Sequence, residues 1–454
     1  MVSRIATTDL PPAVTGSFLL DSAPGRRRDM LGGCERASAA YGDVVRVVVG
    51  PPVFRRELYL MFHPDAAHRV LAANALNYRK DNLFYTEVRG LFGDGLLTSQ
   101  DVRWQRQKRF LQPLFTAQRV AGYVEGMTEV VESLTAQWHV RGTEAIDLDD
   151  EMTRLTLRIV CRVLFGADVD DAVPVVQRAF GPLGEAVRRR ATAPVRLPLR
   201  WPTRTNRPGI RAQRDLYEVC DGIIARRRAA PDAQQDLIGL LLNSRVDGVA
   251  LTDTEIRDQV LIFLLAGHET TSTALTYTLH LLGRHGDVQQ RVREEVDAII
   301  GDREPTAHDA AALSYTTMVL KEAMRLYPSV PLVSRRAAAD DEVCGYRVPA
   351  GSDVILAPWV IHRHPAFWDD PARFDPTRFT PAREKARHRY AWFPFGGGPR
   401  GCIGQHFSML EAAVILAVLV RDFDFTSPAG ELSYTNHITL RPVDGVPSLI
   451  TQRR

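Results

Sequence analysis

Apolar residues recur with a period near 3.6 from about residue 119 to residue 300, so most of the chain reads as helix. Strand-like segments are short and lie toward the two ends: DVVRVVVG (43–50), RELYLMF (56–62), DVILAPW (353–359) and SYTNHITLRP (433–442). Strands supplied from both ends predict that the termini pair in space, giving one domain over 1–454. The fold class expected is mainly α with small β-sheets (α+β). No internal repeat or low-complexity linker interrupts the pattern. Segment 189–209, RRATAPVRLPLRWPTRTNRPG, is rich in Pro and Arg and reads as a surface connection between two helices, either a mobile lid or an ordinary loop.

The clearest helix is LTDTEIRDQVLIFLLAGHETTSTALTYTLHLLG, 251–283. Thr252 and Glu255 form a capping box at its start, and Gly283 offers an end. About thirty residues at ~1.5 Å each give ~45 Å, enough to cross a whole domain. Its middle breaks the apolar pattern at Ala266-Gly267-His268-Glu269-Thr270-Thr271. A glycine inside a helix costs roughly 1 kcal/mol against alanine, and an acid and alcohols among apolar neighbours need partners. Two readings stand. A local groove admits a ligand beside the helix, or Glu269 and the threonines satisfy one another in a kinked core helix. His268-Glu269 also begins the zinc-protease pattern HExxH, but residue 272 is serine and that reading fails.

A second helix, YTTMVLKEAMRLYPSVP (315–331), closes at Pro328 and carries Glu322 and Arg325 on one face. Its apolar flanks predict burial, and a buried pair needs further hydrogen bonds. Arg378, in FDPTRF, is the candidate third partner.

Composition changes little in this picture. The 454 residues are 45% apolar and 24% charged, as in a globular protein with a real core, and the net charge is only +3. Lys80, Lys108, Lys321 and Lys385 are the only lysines, and this Arg/Ala-rich usage fits a GC-rich, bacterial genome. The arginine runs 26–28, 188–190 and 226–228 read as solvated helix ends, so no nucleic-acid partner is expected. Five cysteines without a CxxC pair argue against a disulfide framework or structural zinc and leave a cytoplasmic location as the default. The N-terminus has no apolar run of signal length. The most apolar stretches, near 259–266 and 412–420, fall short of the ~20 residues a membrane span needs. No membrane anchor is expected.

The remaining chemistry lies in FPFGGGPRGCIGQHF, where Cys402 sits among five glycines with Arg400 two residues before it. Gly396-x-Gly398-x-x-Gly401 spells a dinucleotide fingerprint, but RHRYAWFPF is a poor preceding strand and the acid about twenty residues on, Asp422, follows a long apolar helix. A metal reading fits better. A thiolate is a strong ligand for iron, and loop amides with the following helix N-terminus can support its charge. Gly398 and Gly404 leave room for a planar macrocycle, and Arg400 suits a haem carboxylate.

At these residues the sequence resembles the cytochrome P-450 family of haem-thiolate monooxygenases. The family's FxxGxRxCxG signature is matched by Phe395, Gly398, Arg400, Cys402 and Gly404, and its oxygen-activation motif by Ala266 to Thr271. Its ExxR pair is matched by Glu322 and Arg325, with Arg378 as partner. The resemblance implies one large catalytic domain with a long central helix above haem b, and Cys402 as axial ligand to the iron. It further implies that Glu322, Arg325 and Arg378 hold the structural core. Trp104 and Lys108, in DVRWQRQKRF, match the positions that bind haem propionates, although many relatives carry Arg or His at the latter. Arg335 in PLVSRR matches another, with Arg336 beside it as the alternative.

The implied reaction uses O2 and two electrons to hydroxylate or epoxidise a small lipophilic substrate. Thr270 holds the water that delivers a proton, and Glu269 connects it to solvent. An axial thiolate favours O–O cleavage. Electrons come from a separate ferredoxin or flavodoxin with its reductase, docked on basic residues such as Arg103, Arg106, Arg387 and Arg389. The substrate pocket is expected to include Phe84, Phe263, Ala266, Val330, Leu332, Val333 and Ile438, an apolar set that suits a terpenoid or other secondary metabolite. Two other readings share the scaffold: an oxidative-coupling or peroxide-using enzyme, and a non-catalytic haem-thiolate binding protein.

Overall fold

A computed structural model describes residues 9–15, 29–49, 56–166, 172–193, 196–229, 236–243, 245–246, 248–430, 432–436 and 438–453. The arginine run 26–28 lies outside them. Helix makes up about 59% of the structure, and the sheets are small, as the apolar period predicts. The chain divides into two compact units, each assembled from distant pieces of sequence.

The first unit comprises described residues of Met1–Thr86, Arg325–Phe374 and Thr380–Cys402. Its frame is a six-stranded sheet in the order 13–15, 44–49, 56–61, 353–356, 333–337 and 78–79. Strand 56–61 pairs antiparallel with 44–49 and parallel with 353–356. Tyr59, Leu60 and Met61 are all buried, which is why that strand reads as a continuous apolar run rather than an alternation. Strand Val333–Ala337 runs antiparallel to 353–356 and to Tyr78–Arg79. Here the expected pairing of early and late segments holds for 353–356. DVILAPW does not stay extended, however: it turns at Ala357 into a short helix, Pro358–Ile361.

The second unit comprises described residues of Glu87–Met324, Asp375–Phe379 and Ile403–Arg454. The long helix runs Asp253–Arg284, 32 residues, with Thr252 and Glu255 in a reciprocal capping box. Gly283 does not end it; the helix passes through and stops at His285. Helix Leu148–Ile159 packs along it: Thr156 donates to the His268 carbonyl at 3.2 Å, and Thr276 donates to the Leu148 carbonyl at 3.4 Å. The late strands do not pair with the first ones. Tyr434–Asn436 and Leu440–Pro442 pair with each other, while Phe423–Thr426, Pro447–Gln452 and Glu144–Asp147 form an antiparallel sheet. Residues 144–147 had no strand signal in the sequence; edge pairing, not propensity, makes them extended.

Candidate active site

In the first unit the cysteine loop is closed on itself. The Cys402 N–H donates to the Phe395 carbonyl at 2.9 Å, the Gly401 N–H to Gly398 at 3.1 Å, and the Gly396 N–H to Phe393 at 2.9 Å. Cys402 is exposed, in contrast to Cys34, Cys161 and Cys220, which are buried. Gly398 has φ +62°, and a Cβ there would fall 1.8 Å from the Leu71 carbonyl oxygen. The sequence reading gave this glycine to a macrocycle; the structure gives it first to the π-helical turn Arg69–Ala73. Gly404 caps the helix Gln405–Asp422, and its carbonyl accepts the Ser408 N–H at 2.8 Å.

Around this thiol the first unit collects cations. Arg335 is buried on strand Val333–Ala337, with Nη1 3.4 Å from the Tyr85 hydroxyl, while Arg336 points elsewhere and donates to Asp353 at 2.8 Å. Alternation along one strand thus separates the two candidates. Lys80, which the sequence reading passed over, is 6% exposed, with Nζ 5.1 Å from the Tyr85 ring centroid. Burial pushes its ammonium well below the ordinary lysine range; Arg335 and Arg400 push the same way, and Cys402 opposes them. Its signal was present, as one of four lysines in an arginine-rich chain, but nothing local marked it as buried.

The ExxR residues divide their partners. Glu322 and Arg325 are fully buried. Glu322 accepts the Asp375 N–H at 2.9 Å and pairs with Arg378 Nε at 3.3 Å, as the sequence suggested. Arg325 donates to the carbonyls of His362 (3.0 Å), Pro371 (2.7 Å) and Arg373 (3.1 Å) and lies over Trp368. His362 in turn accepts the Phe393 N–H at 3.0 Å. Arg325 is thereby tied, through one histidine, to the start of the cysteine loop.

In the second unit the long helix is buried from Asp258 to Leu265 and again from Thr271 to Leu282. Between them Ala266 is exposed and Gly267 and Thr270 are half-buried. A Cβ on Gly267 would lie 2.8 Å from Val160 Cγ2, so this glycine admits a neighbouring helix, and the opening belongs to Ala266 and Thr270. The Thr270 hydroxyl donates to the Ala266 carbonyl at 2.8 Å. Glu269 is buried, accepts from Thr439 at 3.2 Å and pairs with Arg441, whose side chain is 28% exposed. Arg441, a residue without a motif of its own, is the partner of Glu269 that reaches solvent. Asp149 belongs to the same cluster; burial raises its carboxyl to about 6, against the pull of Arg441. His268 is fully buried and tilted against Phe180, and burial lowers its imidazole to about 4, so it stays neutral at physiological pH.

Trp104 and Lys108 share helix Asp101–Leu111, with Lys108 Nζ 5.2 Å from the Trp104 ring centroid. On the same helix Arg103 pairs with Asp94 at 3.0 Å and Arg106 donates to the Ala250 carbonyl at 3.0 Å. In the first unit Arg387 stacks on Trp368 at 3.8 Å. Of the pocket candidates, Phe84, Val330, Leu332 and Val333 in the first unit and Ile438 in the second are half-buried. Phe263 is buried and stacked on Phe115, 5.5 Å between centroids. Among the described residues no cluster of three His, Cys, Asp or Glu side chains is placed to hold a metal ion.

Comparison with known proteins agrees with this chemistry. The cytochrome P450 family model matches residues 11–442. Cyclooctatin synthase of Streptomyces melanosporofaciens is 37% identical over 384 residues, covering 84% of this chain and 82% of the relative. Cyclooctat-9-en-7-ol 5-monooxygenase of the same organism is 34% identical (84% and 82% covered), and pentalenene oxygenase of Streptomyces avermitilis 33% (86% and 85%). The crystal structure of the cytochrome P450DA heme domain superposes with a TM-score of 0.85 at 27% identity, covering 98% of each chain.

Proposed function

Because the chain belongs to the cytochrome P450 family and is a haem-thiolate monooxygenase, we propose that it oxidises a cyclic terpenoid, with Cys402 as the thiolate ligand and Thr270 as the residue that delivers protons. The observation that carries this reading is the single opening in the long helix: a methyl group at Ala266 and a hydroxyl at Thr270, flanked by buried residues on both sides. That surface suits an uncharged hydrocarbon and offers it one proton-handling group. The half-buried pocket candidates carry no charge either. Relatives named for cyclooctatin and pentalenene support a terpenoid over a fatty acid.

The residues present fit a haem. An exposed thiol in a Gly-rich loop suits the iron, and the cations Lys80, Arg335 and Arg400 of the first unit suit an anionic ring with carboxylates. Trp104 and Lys108 are the corresponding candidates in the second unit. When bound, the haem supplies reductive activation of O2 and transfer of one oxygen atom to the substrate. The chain's own residues do the rest. Cys402 keeps its thiolate within the loop that Phe395 closes. Ala266 leaves space for the substrate. Thr270 holds a water or proton at its hydroxyl, and Glu269, oriented by Arg441 and Thr439, is the carboxylate that exchanges protons with water. The electron donor is a separate protein, for which an acidic ferredoxin or flavodoxin is the expected match.

The test is a titration of the ferric holoenzyme with cyclic terpene hydrocarbons and alcohols, followed in the visible spectrum. A low- to high-spin shift at micromolar terpene, absent with fatty acids of equal carbon number, is expected. A shift with fatty acids alone would refute the substrate class.

A further inference from the structure

From Ala186 to Arg214 the chain carries nine arginines and not one Asp or Glu. Part of that charge is used internally: Glu185 takes Arg188 and Arg189, and Glu87 takes Arg190 and Arg196. Arg200, Arg204, Arg207 and Arg211 are exposed and have no acidic partner among the described residues. Two of them stand in the first turns of helix Arg207–Ala229, which has no acid in its first turn. Cations at a helix N-terminus oppose the macrodipole and weaken the helix, so folding does not account for them.

The same loop exposes apolar surface. Trp201, between Pro198 and Pro202, is 50% exposed, Leu197 just before Pro198 is 45% exposed, and Trp201 is the one exposed tryptophan of six. Their exposure is built in. Asn206, buried beneath them, donates to the carbonyls of Pro198 (3.1 Å), Leu199 (3.4 Å) and Trp201 (3.0 Å). Arg190 donates to the Leu197 carbonyl and to Asn206 Oδ1, both at 3.0 Å, and is anchored on buried Glu87. The Trp201 and Thr203 N–H groups are also bonded within the loop. The backbone that carries the apolar side chains thus needs little water, which lowers the cost of moving it into a low-dielectric medium.

We propose that the 196–211 face is a peripheral docking site for an anionic lipid surface, with Trp201 and Leu197 entering the headgroup region and Arg200, Arg204, Arg207 and Arg211 holding lipid phosphates. Tryptophan between prolines on a sealed backbone favours a lipid interface over an acidic protein, for which charge alone suffices. No helix of the described residues is long and apolar enough to cross a membrane, so the association is superficial and reversible.

The experiment is sedimentation of the holoenzyme with vesicles of phosphatidylcholine, alone or with equal phosphatidylglycerol, at low and high salt. Binding to the anionic vesicles only is expected. Each arginine near the surface contributes about fivefold, so Arg200→Glu with Arg204→Glu lowers the partition coefficient by over about a hundredfold. Trp201→Ser lowers it by about tenfold. In the unaltered protein, bromine-labelled lipid should quench tryptophan emission, which requires no variant to fold. Absence of binding to anionic vesicles overturns the proposal. So does binding indifferent to Trp201, which would be plain charge adsorption. Capture of an acidic ferredoxin by this face, without vesicle binding, would reassign it to a protein partner and equally overturn it.

Discussion

Gly396 and Gly398 lie two residues apart in the cysteine loop, both at positive φ, +70° and +62°. Space alone distinguishes them. A Cβ on Gly396 meets nothing within 4 Å, whereas one on Gly398 falls 1.8 Å from the Leu71 oxygen, 2.8 Å from its carbonyl carbon and 3.0 Å from the Ala72 Cα. Those atoms are backbone and cannot rotate away. Alanine at either position costs about 1–2 kcal/mol for the left-handed conformation. At Gly398 the overlap adds about 1–3 kcal/mol as the loop or the 69–73 turn is displaced. The Gly401–Gly398 and Cys402–Phe395 hydrogen bonds move with it, so the thiolate shifts. The assay is the rate at which the thiolate signature of the ferrous carbon monoxide complex decays at a fixed elevated temperature. If the strain is released on unfolding, Gly396→Ala speeds decay about 5- to 30-fold and Gly398→Ala at least a further fivefold. Equal decay of the two variants would refute the reasoning, because it would mean that the contact with Leu71 has no influence on the cysteine loop.

Thr270→Ala is expected to leave haem binding intact but to lower the product formed per electron consumed several-fold, with hydrogen peroxide released instead; unchanged coupling would remove Thr270 from proton delivery. Arg441→Met leaves buried Glu269 with Thr439 alone and should cost about 2–4 kcal/mol. A cycle with Glu269→Gln should show coupling above ~1 kcal/mol in thermal stability, and additive losses would deny the pair. Burial raises the Asp149 carboxyl from 3.8 to about 6, so the folded protein binds more protons there than the unfolded chain. The resulting penalty is absent below about pH 4, grows as pH rises and is complete above about pH 6, where it reaches ~2–3 kcal/mol. Asp149→Asn should therefore stabilise the protein at pH 7.5 and match it at pH 4, as a denaturation series across that range would reveal.

What the sequence disclosed about this molecule was whatever is local. The capping box at Thr252 and Glu255 involves residues three apart, and the cysteine signature spans ten, so both are legible before any fold is known. Arg378 could be matched to Glu322 because a buried acid must find a cation and the FDPTRF segment offered one. Arg325 escaped such matching: its partners are the carbonyls of His362, Pro371 and Arg373, and backbone acceptors have no sequence signature. Arg441 and Lys80 escaped for a related reason. Each is a lone cation in or beside a short strand, and only the strand's placement reveals what it faces: Glu269, 172 residues away, or Arg335, Arg400 and Cys402. The glycines show the limit most sharply. A glycine at 267 or 398 announces that something comes close; the sequence left a ligand groove as one of two readings at 267 and gave 398 to a macrocycle. The neighbours are Val160 and Leu71. Close approach between protein segments and room for a ligand are written with the same residue, and only the coordinates separate them. At Ala266 and Thr270 the opening survives that separation, because there the flanking helix is buried on both sides and these residues are not.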